Sequence, residues 1–238
     1  MLTYLIPTAK EMKLPDTKLT PTLSQKSSAI VEKMSQSTIE ELAKAYKITP
    51  VAAEKEFDRW QAIQTGTAPT YPATQLFNGL MYRHLDRQLL TAQAPVYITS
   101  ALYGVIQALE PIAEHRLDFH TKAGVKGQSL KSYWRADYDA FASEQEQVIS
   151  LLSSEFADVF SPQIRDNFIT ISFMEEKDGQ LKSHSTISKK ARGAFLTQAL
   201  KTKASGVNEL KRITFDGFAF SDQLSAEKQL VFVKKLEI

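Results

Sequence analysis

Phe168-Ile169-Thr170-Ile171-Ser172-Phe173-Met174 is the stretch on which the fold turns. β-branched and aromatic side chains dominate it, the composition that suits a pleated, half-buried strand. Shortly after it, Asp178-Gly179 supplies the two-residue chemistry of a tight hairpin, and the chain is expected to return through residues 180–187. A helix then follows, because Ala191, Phe195 and Ala199 recur at helical spacing with Leu196 and Leu200 beside them. A strand, a hairpin and a helix in one short run predict a protein in which both kinds of element share a core.

The same reading extends in both directions. Residues 2–6 form an opening strand that stops at Pro7, and a loop rich in proline, threonine and lysine runs to Thr22. Three helices are expected next. The first covers residues 24–34, and the second begins at a capping box of Thr38 and Glu41. The third has Thr49 as its N-cap and Pro50 at the first helical position. Residues 74–90 read as helical with a break near Gly79. Strands are expected at 96–99, 115–120, 148–152, 215–220 and 230–234, with helices from about 136 and over 207–212. No repeat appears and strands do not alternate cleanly with helices. The prediction is an α+β fold: a single compact domain over residues 1–238, with a mixed sheet and surrounding helices.

Composition narrows the functional classes. The 238 residues include no cysteine, which excludes disulfides, thiolate metal sites and cysteine nucleophiles. The N-terminal apolar run is too short for a signal peptide and no basic region precedes it. No stretch approaches the roughly 20 apolar residues of a membrane span. A cytoplasmic protein without a membrane partner is therefore expected. From Leu181 onward eleven cations face five carboxylates, within a chain whose total charge is +2. Such asymmetry hints at an anionic partner.

The segment Ser188-Lys189-Lys190-Ala191-Arg192-Gly193 concentrates that charge. With Ser188 as N-cap, Lys189, Lys190 and Arg192 would stand against the helix dipole, where carboxylates are favoured. Free N–H groups at the same end would complete an anion site, most naturally for phosphate. Gly193 needs a reason inside a helix, and close approach of a ligand or of another backbone supplies one. Acidic side chains from elsewhere, such as Glu155, would neutralise the cluster instead. A second glycine, Gly104 in Ser100-Ala101-Leu102-Tyr103-Gly104-Val105-Ile106, suits a tight turn from a strand into a helix. There it would either approach a nucleic-acid backbone or let two elements pack.

Standard catalytic and nucleotide-binding motifs are absent: no P-loop, no dinucleotide fingerprint, no HExxH and no GxSxG. If residues 115–120 form a strand, Arg116, Asp118 and His120 share a face. Asp118 and His120 would then offer part of a hard-metal site, but an Arg116–Asp118 ion pair is simpler, so no metal and no cofactor is expected.

Several segments in order resemble the YaaA family of bacterial peroxide-stress response proteins. They are Pro7-Thr8-Ala9-Lys10, Phe77-Asn78-Gly79-Leu80-Met81-Tyr82, Ser100 to Val105 as quoted, His115-Arg116-Leu117-Asp118, Tyr133-Trp134, Leu152-Ser153-Ser154-Glu155-Phe156, the lysine–arginine–glycine run, and Phe215-Asp216-Gly217-Phe218-Ala219-Phe220. The resemblance spans essentially the whole chain, with departures at Ala101, Ser150 and Asp158. It implies a family-specific α+β fold and a cytosolic role under hydrogen peroxide stress, linked to lower free iron and less iron-driven damage. It also implies DNA binding through a basic cleft with a helix-hairpin-helix-like element.

Two functions from different classes follow. In the first, DNA (duplex or structured) is the partner: Lys10, Arg116, Lys189, Lys190 and Arg192 contact phosphates, Gly104 and Gly193 permit close approach, and Tyr103 or Trp134 stacks on a base. In the second, the protein is an enzyme acting on a nucleotide or nucleobase, with the same cations on a phosphate. Glu155 or Asp118 would then be the acid/base and Ser153 would position the substrate. An open groove long enough for several phosphates would favour the first, and a pocket with an unpaired carboxylate beside cations the second.

Overall fold

The computed structural model describes residues 1–16 and 23–236. Eight strands form one mixed sheet: β1 (Leu2–Pro7), β2 (Val96–Ser100), β3 (Gly104–Gln107), β4 (Gln147–Ser150), β5 (Ile169–Lys177), β6 (Gln180–Lys182), β7 (Phe218–Phe220) and β8 (Gln229–Lys235). Their spatial order is β7-β8-β5-β4-β1-β2-β3, with β6 paired to β5. The five strands β8, β5, β4, β1 and β2 run parallel, while β3, β6 and β7 are antiparallel to their neighbours.

β1 lies centrally and pairs on both sides, with Tyr4 opposite Val96 on one edge and Ile149 on the other. Its Leu2 to Ile6 segment is buried throughout, as a parallel strand covered on both faces requires. Leu2, Tyr4 and Ile6 join one core and Leu5 another, since alternate side chains leave opposite faces of a strand. The first core also contains Ile169, Ile171 and Phe173 of β5 and is capped by a 17-residue helix, Ser185–Lys201, numbered α6 below.

On the opposite face lie α1 (Gln25–Ser35), α2 (Ile39–Tyr46) and α3 (Pro50–Gln64), together with α5 (Leu130–Ser143). α4 (Leu80–Arg83) is a single turn packed against α6. The result is an α+β fold, a mixed sheet flanked by helices. Ser24, Thr38 and Thr49 cap their helices through side-chain oxygens, and the Thr38–Glu41 box is reciprocal. Asp178 and Gly179 both adopt positive φ, 52° and 72°, and close the β5–β6 hairpin.

Four local expectations are corrected. α6 starts at Ser185 after His184, and the Ser188 amide already donates to the His184 carbonyl. Ser188 is thus inside the helix, and its cations sit beyond the first turn. Residues 100–106 form a β-hairpin between β2 and β3 rather than a turn into a helix. Residues 115–118 are irregular and 119–120 form a turn, because Asp118 folds the backbone back by accepting from the His120 and Thr121 amides at 3.0 and 2.9 Å. The helix expected from about 136 begins at Leu130, capped by Ser129. The loop expected up to Thr22 lies partly outside the described residues.

Candidate anion-binding site

From β1 the chain passes to β2 and β3 on one side of the sheet, then crosses to β4 and β5 on the other. Between the adjacent strands β1 and β4 the winding therefore reverses, the place where open parallel sheets leave a crevice beyond their strand ends. A pocket of about 560 Å³ occupies it. Residues Pro7 to Met12 after β1, Ser153 to Phe156 after β4, the 115–120 segment, α4 and α6 line its walls.

Of the residues singled out in the sequence, Lys10, Arg116, Asp118, Ser153, Glu155, Lys189 and Arg192 line this pocket. Lys189 and Arg192 stand three residues apart on α6, so they share a helical face. Lys190, between them, is exposed and points away from the lining. The sequence reading missed Arg83 and Thr186, which also line the pocket. Arg83 follows directly on the Phe77–Tyr82 run that carries part of the family resemblance.

The aromatic expectation is corrected, and both glycines follow their packing alternative. Trp134 is 4% exposed and donates its indole N–H to the Ala101 carbonyl at 2.9 Å, so no face is free to stack on a base. Its ring is also why Gly104 is glycine. The residue has φ of +79°, and a Cβ there would lie 2.8 Å from Trp134 Cζ3. The Tyr103 hydroxyl accepts from the Ala113 amide at 2.9 Å, its ring packs edge-on against His115, and burial pushes it up to about 12. Gly193 answers to another backbone: a Cβ would fall 2.2 Å from the Met81 carbonyl oxygen. Trp134, Gly104 and Gly193 are buried.

Within the pocket, charges divide into paired and unpaired sets. The expected Arg116–Asp118 ion pair is absent; Lys10 Nζ binds Asp118 Oδ2 at 2.7 Å instead. Arg83 binds Glu11 at 2.7 Å. Arg116 lays its guanidinium over the Tyr46 ring at 5.7 Å. Among the described residues neither Lys189, Arg192 nor Arg116 has an ion-pair partner, and the buried Arg192 Nε has no hydrogen-bond partner. Burial alone pulls the Arg192 guanidinium below its ordinary range.

The carboxylates are also set apart. Burial works to raise Asp118, but the Lys10 ammonium and the Thr121 hydroxyl and amide outweigh it and hold the group below the usual range. Glu155 is pushed up, by burial first and by the Asp118 charge second. Glu155 Oε1 accepts from the Phe119 amide at 3.1 Å, and its Oε2 lies 3.3 Å from His120 Nε2. His115 is buried, bonded to the Ala113 carbonyl through Nδ1, and pushed down to about 4 by burial, so its imidazole is neutral. Among the described residues no three His, Asp or Glu side chains converge as metal ligands, and no helix is long and apolar enough to cross a membrane.

Fold and pocket together define a class: an α+β protein with a mixed sheet, whose cationic pocket opens at the reversal of the winding. Residues 2–224 match the family model described as peroxide stress protein YaaA. A UPF0246 protein of Streptococcus pyogenes serotype M3 is 54% identical over 241 residues, covering 99% of both chains. A UPF0246 protein of Streptococcus thermophilus is 52% identical over 244 residues, covering 100% of this chain and 99% of its own. The chain belongs to the peroxide stress protein YaaA family.

Proposed function

We propose that this family member is a cytoplasmic protein that binds phosphate-bearing ligands, DNA or a nucleotide, through the basic pocket and so helps limit iron-driven oxidative damage. One observation carries the phosphate reading. Arg192 is half-buried, unpartnered, and stands beside Lys189 with no carboxylate to neutralise either. Holding a cation out of water costs free energy that an incoming phosphate repays through charge-assisted hydrogen bonds. Few cations are involved, so affinity is modest and its decline with salt is shallow, in proportion to the few phosphates contacted. The test is salt-dependent binding of duplex, single-stranded and bulged DNA to wild type and to the Lys189→Ala/Arg192→Ala double variant. Unchanged binding by the double variant removes the phosphate reading.

A second reading, an enzyme acting on a nucleotide or nucleobase, is favoured by the carboxylate pair. Two acids in one pocket pushed in opposite directions are the usual arrangement of a proton donor beside a fixed charge. Glu155 would transfer the proton while Asp118 stays ionised. A product formed from a nucleotide by wild type and not by Glu155→Gln supports this reading; binding without any product removes it.

A further inference from the structure

The pocket has two chemically different ends, and the hydrogen-bond inventory of its carboxylates shows which atom is free. Asp118 Oδ1 is taken by the His120 amide, the Thr121 amide and the Thr121 hydroxyl, all at 2.9–3.0 Å, and Oδ2 by Lys10. Asp118 is therefore a structural anion that shapes the 118–121 turn. Glu155 Oε1 is taken by the Phe119 amide. Glu155 Oε2 has only His120, a side chain 67% exposed and able to swing into solvent. A carboxylate offers about four acceptor sites, so Oε2 is the spare acceptor beside the 118–121 turn, while the third lining carboxylate, Glu11, is held through Oε1 by Asn78 and Arg83.

The cationic end lies on α6, where Arg192 and Lys189 need an anion. The lining also contains the apolar side chains Met12, Leu117 and Phe156. A ligand that satisfies all three features carries an anionic group at one end, a flat apolar body, and an N–H donor at the other. The volume lies in the range of small-molecule sites.

We infer that the pocket accepts one nucleotide unit lengthwise, its phosphate on Lys189 and Arg192 and an N–H donor of its base on Glu155 Oε2. This rests on the phosphate reading above and adds what that reading lacks, recognition of the base. The unit is either a free mononucleotide or an unpaired nucleotide of a strand.

Isothermal titration of the full chain with dGMP and with 2-deoxyribose 5-phosphate, which lacks a base, tests it. In wild type dGMP is expected to bind about tenfold or more tightly than the baseless phosphate, the scale of one charge-assisted hydrogen bond. In Glu155→Ala that advantage shrinks to about threefold or less. If Glu155→Ala does not fold, Glu155→Gln keeps an acceptor oxygen without its charge and is expected to lose part of the advantage.

Equal wild-type affinity for the two ligands overturns the inference and leaves the phosphate reading standing, provided Lys189→Ala/Arg192→Ala weakens both. An advantage that persists in full in a folded Glu155→Ala also overturns it. A duplex with one bulged guanine identifies the source: tighter binding than dGMP assigns the site to a strand, weaker binding to the free nucleotide.

Discussion

Arg59 and Arg192 pose the same electrostatic problem and solve it differently. Each is sunk far enough that its Nε finds no hydrogen-bond partner. Arg59 is answered from within the fold, by Glu56 one helical turn away and Glu114 from across the chain. Its side chain is 18% exposed and its partners 8% and 20%. Arg192 is answered by nothing in the described chain. A cation compensated internally holds elements together, and one left uncompensated on a pocket wall is held ready for an outside anion.

The sharpest way to break this contrast is Arg59→Ala. Removing the shared partner strands two buried carboxylates, and a loss of about 3–5 kcal/mol is expected. Thermal denaturation should show a melting temperature lower by roughly 10 °C. A shift within about 2 °C would put Arg59 in the same class as Arg192.

Arg192→Ala should do the reverse. Phosphate-ligand affinity is expected to fall about 10- to 100-fold, the worth of a charge-assisted pair. The melting temperature should hold or rise, because an unpaired half-buried charge is removed; a large loss of stability would make Arg192 a structural residue.

Gly193→Ala tests the ground beneath Arg192. The methyl would meet the Met81 carbonyl, and overpacking of this kind costs about 1–3 kcal/mol. A lower melting temperature with weaker ligand binding is expected, since α6 must move off α4.

Asp118 gives a smaller effect that pH can isolate. Its folded carboxyl is held below the ordinary 3.8, so its contribution is complete above that pH and is lost as pH falls through the depressed value. Asp118→Asn should therefore flatten the acid limb of the stability profile below pH 3.8. Lys190→Ala, one residue from Lys189 but outside the pocket, should change affinity by about twofold or less.

Where a structural signal was local, the sequence displayed it. The Thr49 N-cap, the Thr38–Glu41 box and the Asp178-Gly179 turn depend on neighbours within four residues, and each formed where it was expected. The α6 start was less readable: the helix begins after His184, which makes no side-chain cap hydrogen bond, so the local signal at Ser188 misplaced it. At 115–120 the alternation was sound, for His115, Leu117 and Phe119 are buried. What could not be seen is that Asp118 spends its acceptors on its own loop. Trp134 and Tyr103 show the same limit. An aromatic ring that stacks on a ligand and one that packs in a core look alike until the neighbours are known.

The central position of β1 also has a kinetic consequence. Its ladder partners begin at Val96 and Gln147, so the strand leaves the ribosome long before either edge is covered. At about 5–20 residues per second the second partner follows after roughly 7–30 s. Until β2 follows, Leu2-Thr3-Tyr4-Leu5-Ile6 is a nascent apolar segment with two open edges, and one edge stays open until β4 is made. The sheet closes only late in synthesis, which makes the first strand to appear the chain's main risk of mispairing before it is the keystone of the fold.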